Sequence, residues 1–447
     1  MKYVLRHIVI PVVFSAFFNS ANAQSNVLKF DFGEGQVASG YTGVKASDQY
    51  SAEKGFGFEK GSRVRAVSRK GKDLLKTDFF TADGPFLFSI KLPEGNYNVK
   101  VITGDSKGSS HTVVRAECRR AVLPVIMTNT KLGNHAEETF SVHIRDTLIR
   151  GTQSFVRIKE REREYRHWDD KLTLEFNGKE PKVCGIEIEP LTDASVVFLA
   201  GNSTVVDQAS EPYAAWGQMI PQFFKPGKIV VANYAESGEA LNSFKSAGRL
   251  EKILTLMKPG DYLFIEFAHN DMKQKGEGIG PWESYTKLLH AYIDACRSKG
   301  GNPVLATSMH RRNFDSTGHV VNTLGDYPAA MRKAAKDKNV PLIDLHAMSA
   351  ALYEAWGPKE SEKGFVIYPA HTFPGQDKAL LDNTHFNPYG ATQIAKCIVQ
   401  GIRNAGLPLA SFIRDEVPHY DPAKPDAVAS FYWPLSPVID KTKPDGN

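Results

Sequence analysis

The sequence predicts an α/β fold, a parallel sheet covered on both faces by helices, preceded by an all-β sandwich. Three observations predict it. From about Ser25 to Pro190 short alternating apolar segments are separated by turn residues, with no convincing long helix among them. After Leu191 apolar runs alternate with helical stretches, the pattern of repeated strand–helix–strand units. The length of 447 residues exceeds what one hydrophobic core ordinarily organises, so two domains are expected.

In the first part, FLFSIKLPEGNYNVKVITGD alternates Phe86, Phe88, Ile90 and Leu92, breaks at Pro93-Glu94-Gly95, and resumes with Tyr97, Val99 and Val101. This predicts a hairpin. Leu172, Leu174 and Phe176 alternate next, Asn177-Gly178 predicts a turn, and Val183, Ile186 and Ile188 form a further strand. Between these pieces, Arg157 to Lys171 (RIKEREREYRHWDDK) mixes charges of both signs and reads as a solvated face.

In the second part, strands are expected at Val196–Ala200, Ile229–Ala232, Tyr262–Phe267, Pro303–Ala306 and Val340–Leu345, with helices at LLHAYIDACRSKG and QIAKCIVQGIRNAG. Functional loops then fall at the carboxyl ends of the strands. The expected bounds are a β-sandwich over 24–190, an α/β domain over 191–416, and a tail over 417–447. The tail's proline and aromatic content, including Phe431, Tyr432 and Trp433, predicts packing on the body.

Residues 1–23 read as a secretory leader, with Lys2 and Arg6 before the apolar stretch IVIPVVFSAFF and Ala21-Asn22-Ala23 as the cleavage site. Pro11 interrupts the stretch, which falls short of the ~20 apolar residues of a spanning helix, and no cysteine follows to accept a lipid. Export to the periplasm or the exterior is expected. Its removal lowers the formal charge from +5 to +3, which does not advertise nucleic-acid binding. No membrane association is expected either. Hydrophobic and charged fractions of 42% and 23% are those of an ordered globular chain.

The four cysteines, Cys118, Cys184, Cys296 and Cys397, are open to two readings. An oxidising compartment permits disulfides, yet Cys296 and Cys397 lie in helical apolar stripes where buried free thiols are at least as reasonable. No CxxC or HExxH spacing appears, so no metal site is expected.

VFLAGNSTVV ends an apolar strand in Gly201, Asn202, Ser203 and Thr204. A serine at such a turn is ordinarily a cap or turn former. In DNTHFNPYGA, however, Asp382 and His385 have the spacing that lets a carboxylate hold one imidazole nitrogen while the other faces a nucleophile. Two more polar loops follow apolar runs: ANYAESGEAL with Gly238, and FIEFAHND with Asn270. A backbone N–H beside glycine and an asparagine amide are suitable donors to a developing oxyanion.

These four blocks resemble those of the SGNH (GDSL-type) hydrolases, and LAGNSTVV, NYAESGEA, FIEFAHND, SMHRRNFD, GDYPAAMRKAA, PLIDLHAMS and DNTHFNPYGA together resemble the rhamnogalacturonan acetylesterases of carbohydrate esterase family twelve. FDFG at Phe30 to Gly33 and LPEGNYNVKV resemble a galactose-binding-like sandwich. The resemblance implies a flavodoxin-like α/β/α esterase domain behind a jelly-roll-like domain. It implies Ser203 as nucleophile, His385 as base and Asp382 as its orienting partner, with Ser203, Gly238 and Asn270 forming the oxyanion hole. The resemblance implies no cofactor, and the implied substrate is an acetylated pectic polysaccharide or oligosaccharide; another acetylated glycan such as xylan, a lipid ester, or a degenerate glycan-binding protein are the alternatives.

Two departures from the family pattern stand out. Asn202 replaces the usual aspartate, and Ala268 replaces the usual glycine of the third block. An alanine would strain that loop if its backbone required positive φ. Arg311 and Arg312 follow the apolar run PVLATSM, and at least one of them is expected to contact a substrate carboxylate through its guanidinium fork.

Overall fold

The computed structural model describes residues 27–445; the leader expectation lies outside them. The first part packs a seven-stranded sheet on a six-stranded one. Between them lies a core of phenylalanines: the Phe32 ring meets Phe58, Phe80, Phe88 and Phe176 at centroid distances of 6.1, 5.8, 4.8 and 6.3 Å.

The expected hairpin is corrected by this arrangement. The strand Phe86–Lys91 belongs to the six-stranded sheet and Gly95–Gly104 to the seven-stranded one, so Leu92 to Glu94 carry the chain across the sandwich. Alternation cannot separate the two cases, because Phe86, Phe88, Val99 and Val101 point into one core from opposite sides. Asn177-Gly178 is likewise no turn. It lies within the strand Lys171–Glu180, at a shift of register against its neighbour, and the chain crosses sheets just beyond, before Lys182–Pro190.

In the second part five parallel strands run in the spatial order Ile229–Asn233, Ser195–Gly201, Tyr262–Glu266, Asn302–Ala306, Leu342–Ile343. Strand order therefore reverses beside Ser195–Gly201, and the crevice at such a reversal is where open α/β sheets take ligands. Both faces of the sheet are covered. Val197 and Leu199 enter one core, with the helix Pro388–Asn404, while Val196, Phe198 and Ala200 enter the other, with Thr286–Ser298. That is why the strand reads as an unbroken apolar run. The expected strand at Val340–Leu345 shortens to Leu342–Ile343, because Asp344 caps a helix beginning at Leu345.

Buried ion pairs join the two parts. Arg120 meets Asp207 at 2.7 Å, Arg249 meets Glu162 at 2.5 Å and Lys252 meets Glu94 at 2.5 Å. The charged run Arg157–Lys171 is a solvated face only in part: Glu160 and Arg163 stay at the surface, whereas Glu162 is 0% and His167 1% exposed. Glu162 and Arg161 are matched by Arg249 and Glu236 from the second part, which offsets their loss of water. The segment after Val417 packs on both parts, with the Arg115 guanidinium 3.7 Å from the Trp433 ring centroid and Trp433 Nε1 donating to Glu211 Oε1 at 2.8 Å. All four cysteines are buried free thiols.

Candidate active site

The strand Ser195–Gly201 delivers Ser203 to the sheet's carboxyl edge. Its turn is closed by Asn202, whose Oδ1 accepts from the Thr204 N–H at 3.0 Å. Ser203 Oγ stands 2.9 Å from His385 Nε2, and His385 Nδ1 stands 2.7 Å from Asp382 Oδ2. The strand Leu380–Phe386 pairs with Phe365–Tyr368 and presents both residues. The other Asp382 oxygen accepts from the Thr384 and His385 N–H groups at 2.8 and 3.1 Å. Burial pushes the Asp382 carboxyl up, but the His385 contact and these N–H groups outweigh it and hold it below its ordinary value.

Gly238 and Asn270 come to the same edge. Glu236 N–H donates to the Gly201 carbonyl at 3.2 Å, tying the Gly238 loop to the strand that carries Ser203. Gly238 has φ of 82°, and a Cβ there would stand 2.9 Å from Lys159 Nζ, so the turn needs glycine. Asn270 Nδ2 donates to the Glu239 carbonyl at 3.0 Å and keeps a second N–H. Asp271 Oδ1 accepts from Leu241 N–H at 3.0 Å, so consecutive residues of one loop clamp the other. Among the described residues, neither the Ser203 nor the Gly238 N–H donates to a protein acceptor.

A hydroxyl, imidazole and carboxylate in line, beside unengaged N–H groups, can carry out acyl transfer. Comparison with known proteins points the same way. Residues 28–151 match the family described as beta-agarase/YXIM esterase-like, galactose-binding domain-like, and residues 199–392 match the GDSL-like lipase/acylhydrolase family. The chain is 45% identical to rhamnogalacturonan acetylesterase RhgT of Bacillus subtilis (strain 168), over 48% of this chain and 91% of that relative. It is 28% identical to the uncharacterized esterase YxiM of the same organism, over 88% of this chain and 95% of the relative. A third relative there, the probable rhamnogalacturonan acetylesterase YesY, is 35% identical over 50% of this chain and 99% of its own length.

The chain belongs to the GDSL-like lipase/acylhydrolase family. It is a GDSL-type esterase with an N-terminal β-sandwich domain, and the two departures from the family pattern are accommodated. Asn202 keeps the turn hydrogen bond. Its neutral amide also adds no second carboxylate near buried Glu266, whose Oε2 lies 2.8 Å from Thr204 Oγ1. Ala268 does not adopt a left-handed backbone and its side chain joins the core.

Arg311 and Arg312 separate. Arg312 donates to Ser361 Oγ at 2.9 Å and Asn383 Oδ1 at 3.0 Å, donates also to the Pro358 carbonyl, and pairs with Glu362 at 3.4 Å. Among the described residues, the Arg311 side chain makes only long hydrogen-bonding contacts, at 3.3 to 3.5 Å, with Thr323, His269 and Met272.

Several members of this esterase's site escaped the sequence reading. Glu266 ends an apolar strand, and that lone carboxylate in FIEF was the available signal. Burial pushes its carboxyl up against the hydrogen bonds of Ser308 and Thr204. The Tyr213 ring meets His385 edge-on at 5.8 Å, with no signal in its surroundings. Glu162, His167 and Glu236 bring one ligand atom each within 4.8 Å of one another. Arg249 and Arg161 already face the two carboxylates at 2.5 and 2.6 Å, supplying the counter-charge a cation would bring.

Proposed function

We propose that this esterase, exported to the periplasm or the cell exterior, removes acetyl groups from an acetylated pectic polysaccharide through an acetyl–Ser203 intermediate. One observation carries the chemistry: the unbroken line from Ser203 Oγ through His385 to Asp382 at 2.9 and 2.7 Å. The substrate class is supported by the 45% identity to RhgT. Arg311, with its loosely held guanidinium, adds a cation for a uronate-containing chain.

In this mechanism His385 Nε2 takes the Ser203 proton as Oγ attacks the acetyl carbonyl. Asp382 keeps the imidazole Nδ1 protonated and aligned. Negative charge on the carbonyl oxygen is met by the Ser203 and Gly238 N–H groups and the free N–H of Asn270. Collapse expels the sugar alkoxide, which receives the proton from His385. Water then attacks the acetyl–serine by the same route and acetate leaves.

The test is acetate release from a panel of acetylated rhamnogalacturonan, homogalacturonan and xylan, with wild type and Ser203→Ala side by side. Ser203 contributes little packing, so the variant is expected to fold normally and keep only residual turnover. Near wild-type turnover in a clean Ser203→Ala preparation would sink the mechanism, and release confined to xylan would sink the pectic assignment.

A further inference from the structure

The β-sandwich domain sends two cations into the catalytic edge. The Lys159 ammonium donates to the Ser237 carbonyl, and Arg161 Nη2 donates to the same oxygen at 3.1 Å. Arg161 Nη2 also meets Glu236 Oε1 at 2.6 Å, and its Nη1 pairs with Asp445. Both cations therefore rest on the loop that carries Gly238.

Facing them is the chain's own C-terminal segment. The Asp445 carboxylate pairs with Arg161 and lies 3.8 Å from Lys159 Nζ, and its Cβ would stand 3.0 Å from a Cβ placed at Gly238. Two residues earlier, Lys443 Nζ is 3.8 Å from Asp382 Oδ2. One cleft is lined by Arg161, Ser237 and Asp445 together with Tyr213, the residue against the His385 ring. The Asp445 side chain is 56% exposed and supports no core. It is a carboxylate resting on a guanidinium and an ammonium at the rim of the reacting groups.

We infer that Arg161 and Lys159 form a carboxylate subsite for a uronate residue neighbouring the acetylated sugar, and that Asp445 occupies this subsite when no glycan is bound. The inference rests on the pectic reading above and goes beyond it, by giving the β-sandwich domain a part in substrate recognition. The free edge of a guanidinium and an adjacent ammonium match a carboxylate in geometry and charge. A rim ion pair of this kind contributes little to stability, so an external carboxylate can replace it. Self-occupancy lowers apparent affinity by the fraction of open subsites.

The experiment uses the full chain and reads competitive inhibition of 4-nitrophenyl acetate hydrolysis by free galacturonate, with galactose as the uncharged control. Galacturonate is expected to inhibit and galactose to inhibit far less. Asp445→Asn should lower the galacturonate inhibition constant by ~3- to 10-fold as the subsite opens, and adding Arg161→Gln should reverse the gain. Because Arg161 also neutralises Glu236 and its loss can disturb folding, the single Asp445→Asn variant decides alone. An unchanged constant in Asp445→Asn, or equal inhibition by the two sugars, overturns the subsite. Pectic deacetylation with an unmoved constant would refute the subsite and leave the substrate assignment standing; no pectic deacetylation in the polysaccharide panel would refute that assignment itself.

Discussion

Arg120 of the β-sandwich and Asp207 of the esterase domain form a buried pair, Nε and Nη2 reaching one carboxylate oxygen at 3.0 and 2.7 Å, four residues beyond Ser203. The other oxygen accepts from Asn233 Nδ2 at 2.8 Å, so the pair also braces the strand Ile229–Asn233. Both residues are nearly inaccessible, at 2% and 1%. Arg120→Ala leaves a buried carboxylate without its cation and is expected to cost ~3–5 kcal/mol of stability. Chemical denaturation of the two proteins checks this; a loss below about 1 kcal/mol would show that water replaces the guanidinium.

Asn270→Ala removes the clamp on the Glu239 carbonyl and, on the mechanism proposed above, one oxyanion donor. Turnover is expected to fall by ~10²- to 10³-fold, with KM changed much less. An unchanged turnover number with raised KM would place Asn270 on the substrate and not on the transition state.

Asp271 is buried, and desolvation, outweighing the Leu241 N–H bond, pushes its carboxyl up to about 7. A raised folded-state value means the protonated form is favoured on folding. The stability it contributes is complete below the unfolded value of about 4 and is lost as pH rises to about 7, at up to ~1.4 kcal/mol per pH unit. Asp271→Asn should remove this slope, so wild type loses stability relative to the variant between those limits. Denaturation midpoints across that range test it, and parallel curves would contradict it.

Arg311→Ala and Arg312→Ala should behave differently. Arg312 joins Ser361, Asn383, Pro358 and Glu362, and its loss is expected to lower the melting temperature by several degrees, for about 1–3 kcal/mol. Arg311, held only by long contacts, should instead raise KM on acetylated acidic polysaccharide more than on a neutral acetyl ester. Equal effects of Arg311→Ala on both substrates, together with lost stability, would make that arginine structural.

Much of the site was legible because its parts are local. Gly201 to Thr204 and Asp382 to His385 each sit at the end of an apolar segment, and each carries its own turn chemistry. Asn202 and Asp382 close those turns by accepting the N–H two residues on, an interaction encoded within a few positions. Tyr213 was not legible as a site member, since nothing in EPYAAW says that it lies beside the reacting groups, and Glu266 left only the signal of a lone carboxylate ending the apolar run FIEF.

Local periodicity was thus enough for the two-part α/β and β-sandwich plan, the strands of the parallel sheet and the segments bearing Ser203, Gly238, Asn270, Asp382 and His385. Pairing required the folded chain. Phe88 and Val99 alternate alike whether their strands are neighbours or face each other across a core, and only the packing of two sheets sends the chain across at Pro93. In the same way the run from Arg157 to Lys171 carries the charge pattern of a solvated face, yet Glu162 within it is buried, because partners distant in sequence, Arg249 and Glu236, lie opposite Glu162 and Arg161. A charge's environment is set by long-range neighbours that desolvate and pair it, and no window of the sequence contains them.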